Sequence, residues 1–340
     1  MILDWHHMLR SARRGRPRNA WPALVSLFFY AAVAWAQSHA ETYPARPVKF
    51  VVPYPPGGSP DVIARGFGER FQTVFKQPLI IENRPGAGTL LAAEYVARSP
   101  ADGYTLMLAT STAFGINPSV NPDWSVNPVK DFTFVSLLGW SEFFLVASPA
   151  FPANNLKELI DLVRTKPGQF NYGSVGNGTT HHLFMEILKS KLGLDIVHIP
   201  YKGSVSALPD LFSNKIQMMF LDATIAVPQI QAGKLRGLGT TMAAQNALIS
   251  SVPPINEQVP GFDWAGWQGI VGPAGMPRQV VGRLAELMRS YQVTQDYVEL
   301  MRRTGMVPAS TMLPASQAAF LKTELDRWGV AIKASGAKFD

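Results

Sequence analysis

Apolar positions along residues 48–110 switch between two periods, and the switching predicts repeated strand, turn and helix units. The stretch 48–54 reads as a strand, after which Val62, Ile63, Phe67, Phe71 and Val74 recur at helical spacing. "PLIIENRPGAG" reads as a second strand with a glycine turn, followed by a helix over 90–97. "YTLMLATST" is a third strand that ends in a run of hydroxyls. Strands alternating with amphipathic helices predict an α/β fold, an open sheet flanked by helices.

The pattern starts again after Pro152. "NNLKELIDLVRTKPG" predicts a helix with Asn154 or Asn155 as its cap and Gly168 beyond its end. "FNYGSVGNGTTHHLFMEILKSKLG" then repeats the opening design, with Leu183, Phe184, Ile187, Leu188 and Leu192 on one helix face. "DIVHIPYKG", "IQMMFLD" and "GKLRGLGTT" supply further short strands, with a helix over 205–212 between the first two. "WAGWQGIVGPAGMP" reads as a last strand, followed by helices over 278–293 and 315–334. Two similar units predict two lobes: residues 41–140 with 262–340, and residues 141–261. This C-terminal part is placed on the first lobe. The chain would cross between lobes near 138–148 and 261–272, where aromatics cluster.

The two glycine turns carry the candidate chemistry. A strand that runs through glycines into a helix leaves the first-turn N–H groups without helical partners, at the positive end of the helix dipole. Such an end accepts an anion. In "PPGGSPD", Gly57 and Gly58 permit close backbone approach, and Ser59 can cap the helix or donate to a ligand; "GSVGNGTTHH" repeats these elements with Gly176, Gly178, Thr179 and Thr180. Two such termini facing across a cleft could clasp a carboxylate; singly, each could equally be a plain strand-to-helix connection.

Composition changes this picture at the N-terminus. Arg10, Arg13, Arg14, Arg16 and Arg18 precede an apolar run over 21–36, the charged and apolar regions of a secretory signal. That run is shorter than the roughly 20 residues a spanning helix needs. Small residues at Ala34 and Ala36, or Ser38 and Ala40, place cleavage so that the mature chain begins near Gln37 or Glu41. Residues 1–40 hold five arginines and one aspartate, so their removal lowers the net charge by four, from +7 to +3. The case for a nucleic-acid partner goes with them. The 340 residues contain no cysteine, which excludes thiolate metal sites and cysteine nucleophiles and agrees with an oxidising compartment such as a periplasm.

Other motifs are weak. Neither turn has the spacing of a phosphate P-loop or of GxGxxG. "YGSVG" lacks the first glycine of GxSxG, so a hydrolase built on Ser174 with His181 or His182 is the lesser alternative. No carboxylate stands at metal-ligand spacing from the histidine pair, and neither a metal nor a cofactor is expected. Asp61 and Asp222 read as isolated acids rather than a catalytic pair.

Taken together, "YPARPVKFVVPYPPGGSPDVIAR", "IIENRPGAGTLLAAEYVARSPADGYTLMLATST", "NYGSVGNGTTHHLFMEILK", "DIVHIPYKGSVSALPDLFSNKIQMMF", "QIQAGKLRGLGTT" and "GIVGPAGMP" resemble the Bug-type receptors, the extracytoplasmic solute-binding proteins of the tripartite tricarboxylate transporters. The resemblance implies a two-lobed periplasmic-binding-protein fold of the Venus flytrap kind with two hinge-crossing strands. It implies a small bound carboxylate, a dicarboxylate or an aromatic acid, and a membrane permease as partner, with no catalysis. A sensor that hands its closed form to a membrane signalling protein is the other reading, and a monomer is expected.

Carried over by position, the resemblance implies a first pincer of Pro56, Gly57, Gly58, Ser59 and Asp61. The second would comprise Ser174, Gly176, Gly178, Thr179 and Thr180, with His182. Ser111 and Thr112 would lie beneath the cleft, and Tyr201 and Asp222 on the second lobe's rim. Trp140, Glu142, Phe143 and Trp264 look individual to this chain, and together with Trp267 they are candidates for specificity. The aromatics could stack on an aromatic acid or pack between lobes. Glu142, if it faces inward, would disfavour a dianion and favour a monocarboxylate or a zwitterion.

Overall fold

The computed structural model describes residues 43–246, 248–309 and 314–336. The expected signal segment and its cleavage sites lie outside the described residues.

The first half of the fold starts from β1 (Val48–Val52), whose apolar side chains are buried on both faces. It runs through a proline-glycine turn into α1 (Ser59–Phe75), and β2 (Leu79–Asn83) follows. Next come α2 (Leu90–Ala97) and β3 (Thr105–Thr110). A wide helical turn, Thr112–Ile116, then leads into the short α3 (Asn117–Val120). β4 (Phe132–Ser141) ends this half, and after Glu142 alone the chain enters β5 (Phe143–Ala147) of the other.

The second half contains α4 (Leu156–Thr165), β6 (Asn171–Ser174), α5 (Thr180–Leu192) and β7 (Val197–Pro200). It continues with α6 (Ser204–Phe212), β8 (Met218–Asp222), α7 (Ala223–Gln231) and β9 (Arg236–Thr240). The chain returns through residues 241–265 to β10 (Gly266–Pro273), α8 (Arg278–Gln292), α9 (Gln295–Thr304), β11 (Met306–Pro308) and α10 (Pro314–Ser335).

Two mixed sheets result. The six-stranded sheet has the order β11-β4-β10-β3-β1-β2, and the five-stranded sheet β7-β6-β8-β5-β9. β1 lies parallel to β2 and β3, while β10 runs antiparallel to β3 and β4. β6 lies parallel to β7 and β8, while β5 runs antiparallel to β8 and β9. β5 shows why helices cover both faces. Its period of two sends Phe143, Leu145 and Ala147 into one apolar cluster with Phe184 and Phe220, and Phe144 and Val146 into another with Leu211 and Val227.

The fold is therefore the expected two-lobed α/β architecture. Of the two residues offered as the cap of α4, Asn155 serves, accepting from the Glu158 N–H at 2.9 Å. α9 and β11 fall in a stretch to which no element was assigned, although Thr294 caps α9 and Tyr297, Leu300 and Met301 recur on its buried side. α10, expected on the first lobe, lies across both. Phe320 packs on Trp140 and Trp267 of the six-stranded sheet, whereas Trp328 packs on Phe184 of α5. Its buried residues Leu321, Glu324, Trp328 and Ala331 share one face, and that face lies along both lobes, while Val330 on the opposite side is exposed.

Candidate functional site

The residues after β1 form a turn that is held from within. Gly57 has φ +95°, a left-handed conformation that favours glycine, and its N–H donates to Asp61 Oδ2 at 3.2 Å. Arg65 and Asn83 also donate to the Asp61 carboxylate. Burial alone would raise its pKa, but the hydrogen bonds from Arg65, Asn83 and Gly57 outweigh that and hold it below the usual value. Asp61 therefore braces the turn.

The second turn is braced by histidines. Ser174 Oγ accepts from the Gly176 N–H at 3.1 Å and lies 2.6 Å from His198 Nε2. The His198 ring stacks on His182 with centroids 3.9 Å apart. His182 Nδ1 accepts from the Gly178 N–H, and Thr179 caps α5 by accepting from the His182 N–H. Burial, assisted for His182 by His198 and Lys189, lowers His182 to about 3. Ser174 pairs with His198 rather than with His181 or His182, the partners that the lesser hydrolase alternative required.

A cleft of about 330 Å³ lies between the lobes. Of the first turn it is lined by Pro56, Gly58 and Ser59, and beneath them by Ser111 and Thr112. From the second lobe Thr180 and Asp222 line it, and at the hinge Glu142, Phe143 and Trp267. The remaining sequence candidates lie off the lining. Gly57 and Asp61 shape the first turn, while Ser174, Gly176, Gly178, Thr179 and His182 shape the second. Tyr201 turns its hydroxyl to Asp210 at 2.8 Å, which together with burial pushes its pKa up to about 12. Trp140 packs on Phe320, and Trp264 lies against Trp328 under the Arg327 guanidinium, so neither offers its ring to the cleft. The Trp267 ring packs among Phe134 and Phe320, which leaves Phe143 as the hinge aromatic beside the cleft, edge-on to His181.

Sequence reasoning missed several lining residues. Gly203, Ser204 and Val205 come from the start of α6, a third strand, glycine and helix unit whose "KGS" was the available signal. Tyr54 and His181 adjoin the recognised turns, and Gln268 lies on β10 in register with Thr110 of β3. No local pattern marks Gln268, since only strand pairing brings it there.

The helix ends do not stand open. The Ser59 N–H of α1 donates across the cleft to Asp222 Oδ1 at 3.3 Å, and the Thr180 N–H of α5 donates back to Thr112 Oγ1 at 3.3 Å. Asp61 and Val62 N–H groups bond Gly58 O, and Pro60 has none to give. Two of the helix-end N–H groups, those of Ser59 and Thr180, thus bond across the cleft and hold the lobes against each other. Asp222 also accepts from Ser204 and Thr224, and burial raises its pKa despite these donors.

Unsatisfied side chains remain around the cleft. Ser59 Oγ, Glu142 Oε1, both His181 ring nitrogens and Gln268 Oε1 are buried without hydrogen-bond partners. Burial pushes His181 down to about 3, so its ring is neutral with one donor and one acceptor. Burial likewise raises the Glu142 pKa, against the opposing pull of Asn246, the Thr240 side chain and the Met242 N–H. Among the described residues no group of three or more His, Asp or Glu could hold a metal ion, and no helix is long and apolar enough to cross a membrane.

The chain matches the model of the tripartite tricarboxylate transporter family receptor over residues 63–337. It is 30% identical to the protein BugT of Bordetella pertussis, over 93% of this chain and 97% of that one. Two solved structures superpose closely: Rpa4515 of R. palustris with adipate (TM-score 0.83, 30% identity, 86% of this chain and 98% of that one) and MatC of Rhodopseudomonas palustris with bound malate (TM-score 0.80, 28% identity, 85% and 100%). A two-lobed fold with a cleft at its hinge, matched over most of its length by this family, makes the chain a solute-binding receptor of the Bug type, a member of the tripartite tricarboxylate transporter receptor family.

Proposed function

We propose that the protein captures a small organic carboxylate in the cleft between its lobes, in the periplasm, and hands it to the membrane permease of a tripartite tricarboxylate-type transporter. The observation that carries this reading is the group of buried, unpartnered polar atoms around one cleft, on Ser59, Glu142, His181 and Gln268. An unsatisfied buried polar group costs on the order of 1–3 kcal/mol, so several together mark a surface fitted to a polar solute. The adipate and malate in the related receptors support a carboxylate as that solute. A ligand touching both lobes favours the closed arrangement in which Ser59 meets Asp222 and Thr180 meets Thr112.

The test is a thermal-shift screen of protein unfolded and refolded to strip carried-over solute, against aliphatic and aromatic carboxylates, amino acids and neutral sugars. A ligand at a hundred times its Kd adds about 2.7 kcal/mol of stability. A shift from carboxylates that is diminished in Ser59→Val supports the reading. A shift from sugars alone, or from nothing, removes it.

A further inference from the structure

The inference concerns the chemical class of the solute, and it rests on the receptor reading above. Glu142 is the single residue between β4 and β5, the point where the chain passes from the six-stranded to the five-stranded sheet. Its side chain is not the solvent-facing hinge carboxylate that a polar residue at a strand end would suggest. Glu142 is 3% exposed and lines the cleft; Asn246 donates to Oε2, the Thr240 hydroxyl and the Met242 N–H lie near the carboxylate and favour its ionised form, and Oε1 has no partner of full hydrogen-bond geometry. A buried carboxylate oxygen left unpaired is costly, and a group that donates to it recovers that cost.

The neighbouring charges point the same way. Asp222, the second buried acid of the cleft, is already met by the Ser59 N–H, Ser204 and Thr224. Among the described residues that line the cleft, the single one with a fixed positive charge is Lys202, which is exposed. A dianionic solute would therefore bring two carboxylates to a buried wall that already holds two, with no buried cation to offset them. A solute with one carboxylate and one cationic nitrogen would place donors at Glu142 and keep its own carboxylate for the hydroxyls of Ser59 and Thr180.

We propose that the solute is a monocarboxylate that also bears an ammonium or similarly cationic nitrogen, and that Glu142 receives that nitrogen. A cation beside Glu142 opposes the burial that favours its protonated form, so bound solute and ionised Glu142 stabilise each other. Because Glu142 joins the two sheets, the contact also ties solute binding to the hinge. The opposite chemistry is well defined. If Glu142 holds a proton, it donates to a second ligand carboxylate, and the cleft takes dicarboxylates.

Isothermal titration of refolded, ligand-free protein with matched trios separates these cases. An aliphatic trio is pentanoate, glutarate and 5-aminopentanoate, with shorter and longer homologues; an aromatic trio is benzoate, terephthalate and 4-(aminomethyl)benzoate. The expected result is that, in the trio that fits, the zwitterion binds at least tenfold more tightly than the dicarboxylate. Glu142→Gln should weaken the zwitterion tenfold or more and change the simple monocarboxylate less than threefold. An unchanged or higher melting temperature shows that the variant is folded. Tighter binding of a dicarboxylate, or a preference that survives in Glu142→Gln, overturns the inference and leaves the receptor reading standing. Binding of no carboxylate in either series overturns the receptor reading and this inference with it.

Discussion

The backbone N–H of Ser59, at the first turn of α1, lies 3.3 Å from Oδ1 of Asp222, the last residue of β8 in the other lobe. A carboxylate of the protein itself thus occupies the anion seat at a helix N-terminus. The same contact ties the two lobes together.

Asp222 makes stability depend on pH. Burial raises its pKa above the ordinary 3.8, so the folded chain holds the proton more tightly than the unfolded chain. Its contribution is most favourable below the unfolded value and declines as pH rises through the folded value. Asp222→Asn keeps an acceptor for Ser59 without the charge. The melting temperature of the variant minus that of the wild type should rise between pH 4 and pH 7, by about 2 °C for each unit by which the pKa is raised. Glu142 has the same sign in both proteins and cancels in the difference. A difference that stays flat across this range would show that Asp222 is not buried in solution.

Trp328 should be the side chain that fixes α10 across the lobes. It is fully buried, its ring lies 5.3 Å from Trp264 and 6.0 Å from Phe184, and its N–H donates to Glu324 at 3.0 Å. Trp328→Ala should cost about 3–5 kcal/mol in denaturant unfolding. Gly115→Ala tests the same contact from the other side, since a Cβ there would stand 2.5 Å from Trp328 Cδ1; about 1–3 kcal/mol of overpacking is expected. Losses well under 1 kcal/mol in both would mean that α10 is not docked there.

The strand–turn–helix units were legible in the sequence because each is local. Pro56 to Ser59 and Gly176 to Thr180 announce a strand end and a helix start within a few residues, and β1, α1, β6 and α5 follow from them. What brings distant residues together was not legible. His198 reaches Ser174 because β7 runs parallel to β6, with Tyr172 opposite His198 and Ser174 opposite Pro200. The helix of α10 was legible, but the partners of its buried face on both lobes depend on how the sheets are placed. Asp222 looked like an isolated acid because its donors, Ser59 and Ser204, come from elsewhere in the chain.

Gly178→Ala separates backbone strain from lobe closure. Gly178 has φ +67°, and a Cβ there would meet Val120 Cγ2 of the first lobe at 3.0 Å. Gly193, at the end of α5, has φ +63° with nothing within 4 Å of an added Cβ. Both alanine variants should lose about 1–2 kcal/mol from left-handed backbone. Only Gly178→Ala should also weaken solute binding, several-fold, because its clash exists when the lobes meet. Equal affinities in the two variants would show that this contact is not part of closure.

Ser174→Ala bears on the lesser alternative, a hydrolase. The Ser174 side chain is fully buried, accepts from the Gly176 N–H and lies against His198, and it does not line the cleft. Its oxygen belongs to the frame of the second turn. Removing it leaves the Gly176 N–H and His198 Nε2 short of a partner, at a cost of about 1–3 kcal/mol. Solute affinity should change less than threefold, because Thr180 and His181 on the cleft side keep their places while α5 remains capped by Thr179. Denaturant unfolding and isothermal titration on the same preparation read the two effects separately. A loss of ester hydrolysis by Ser174→Ala, with stability unchanged, would instead mean that Ser174 and His198 act as a nucleophile and base reached by solvent, and would put the enzyme reading ahead of the receptor reading.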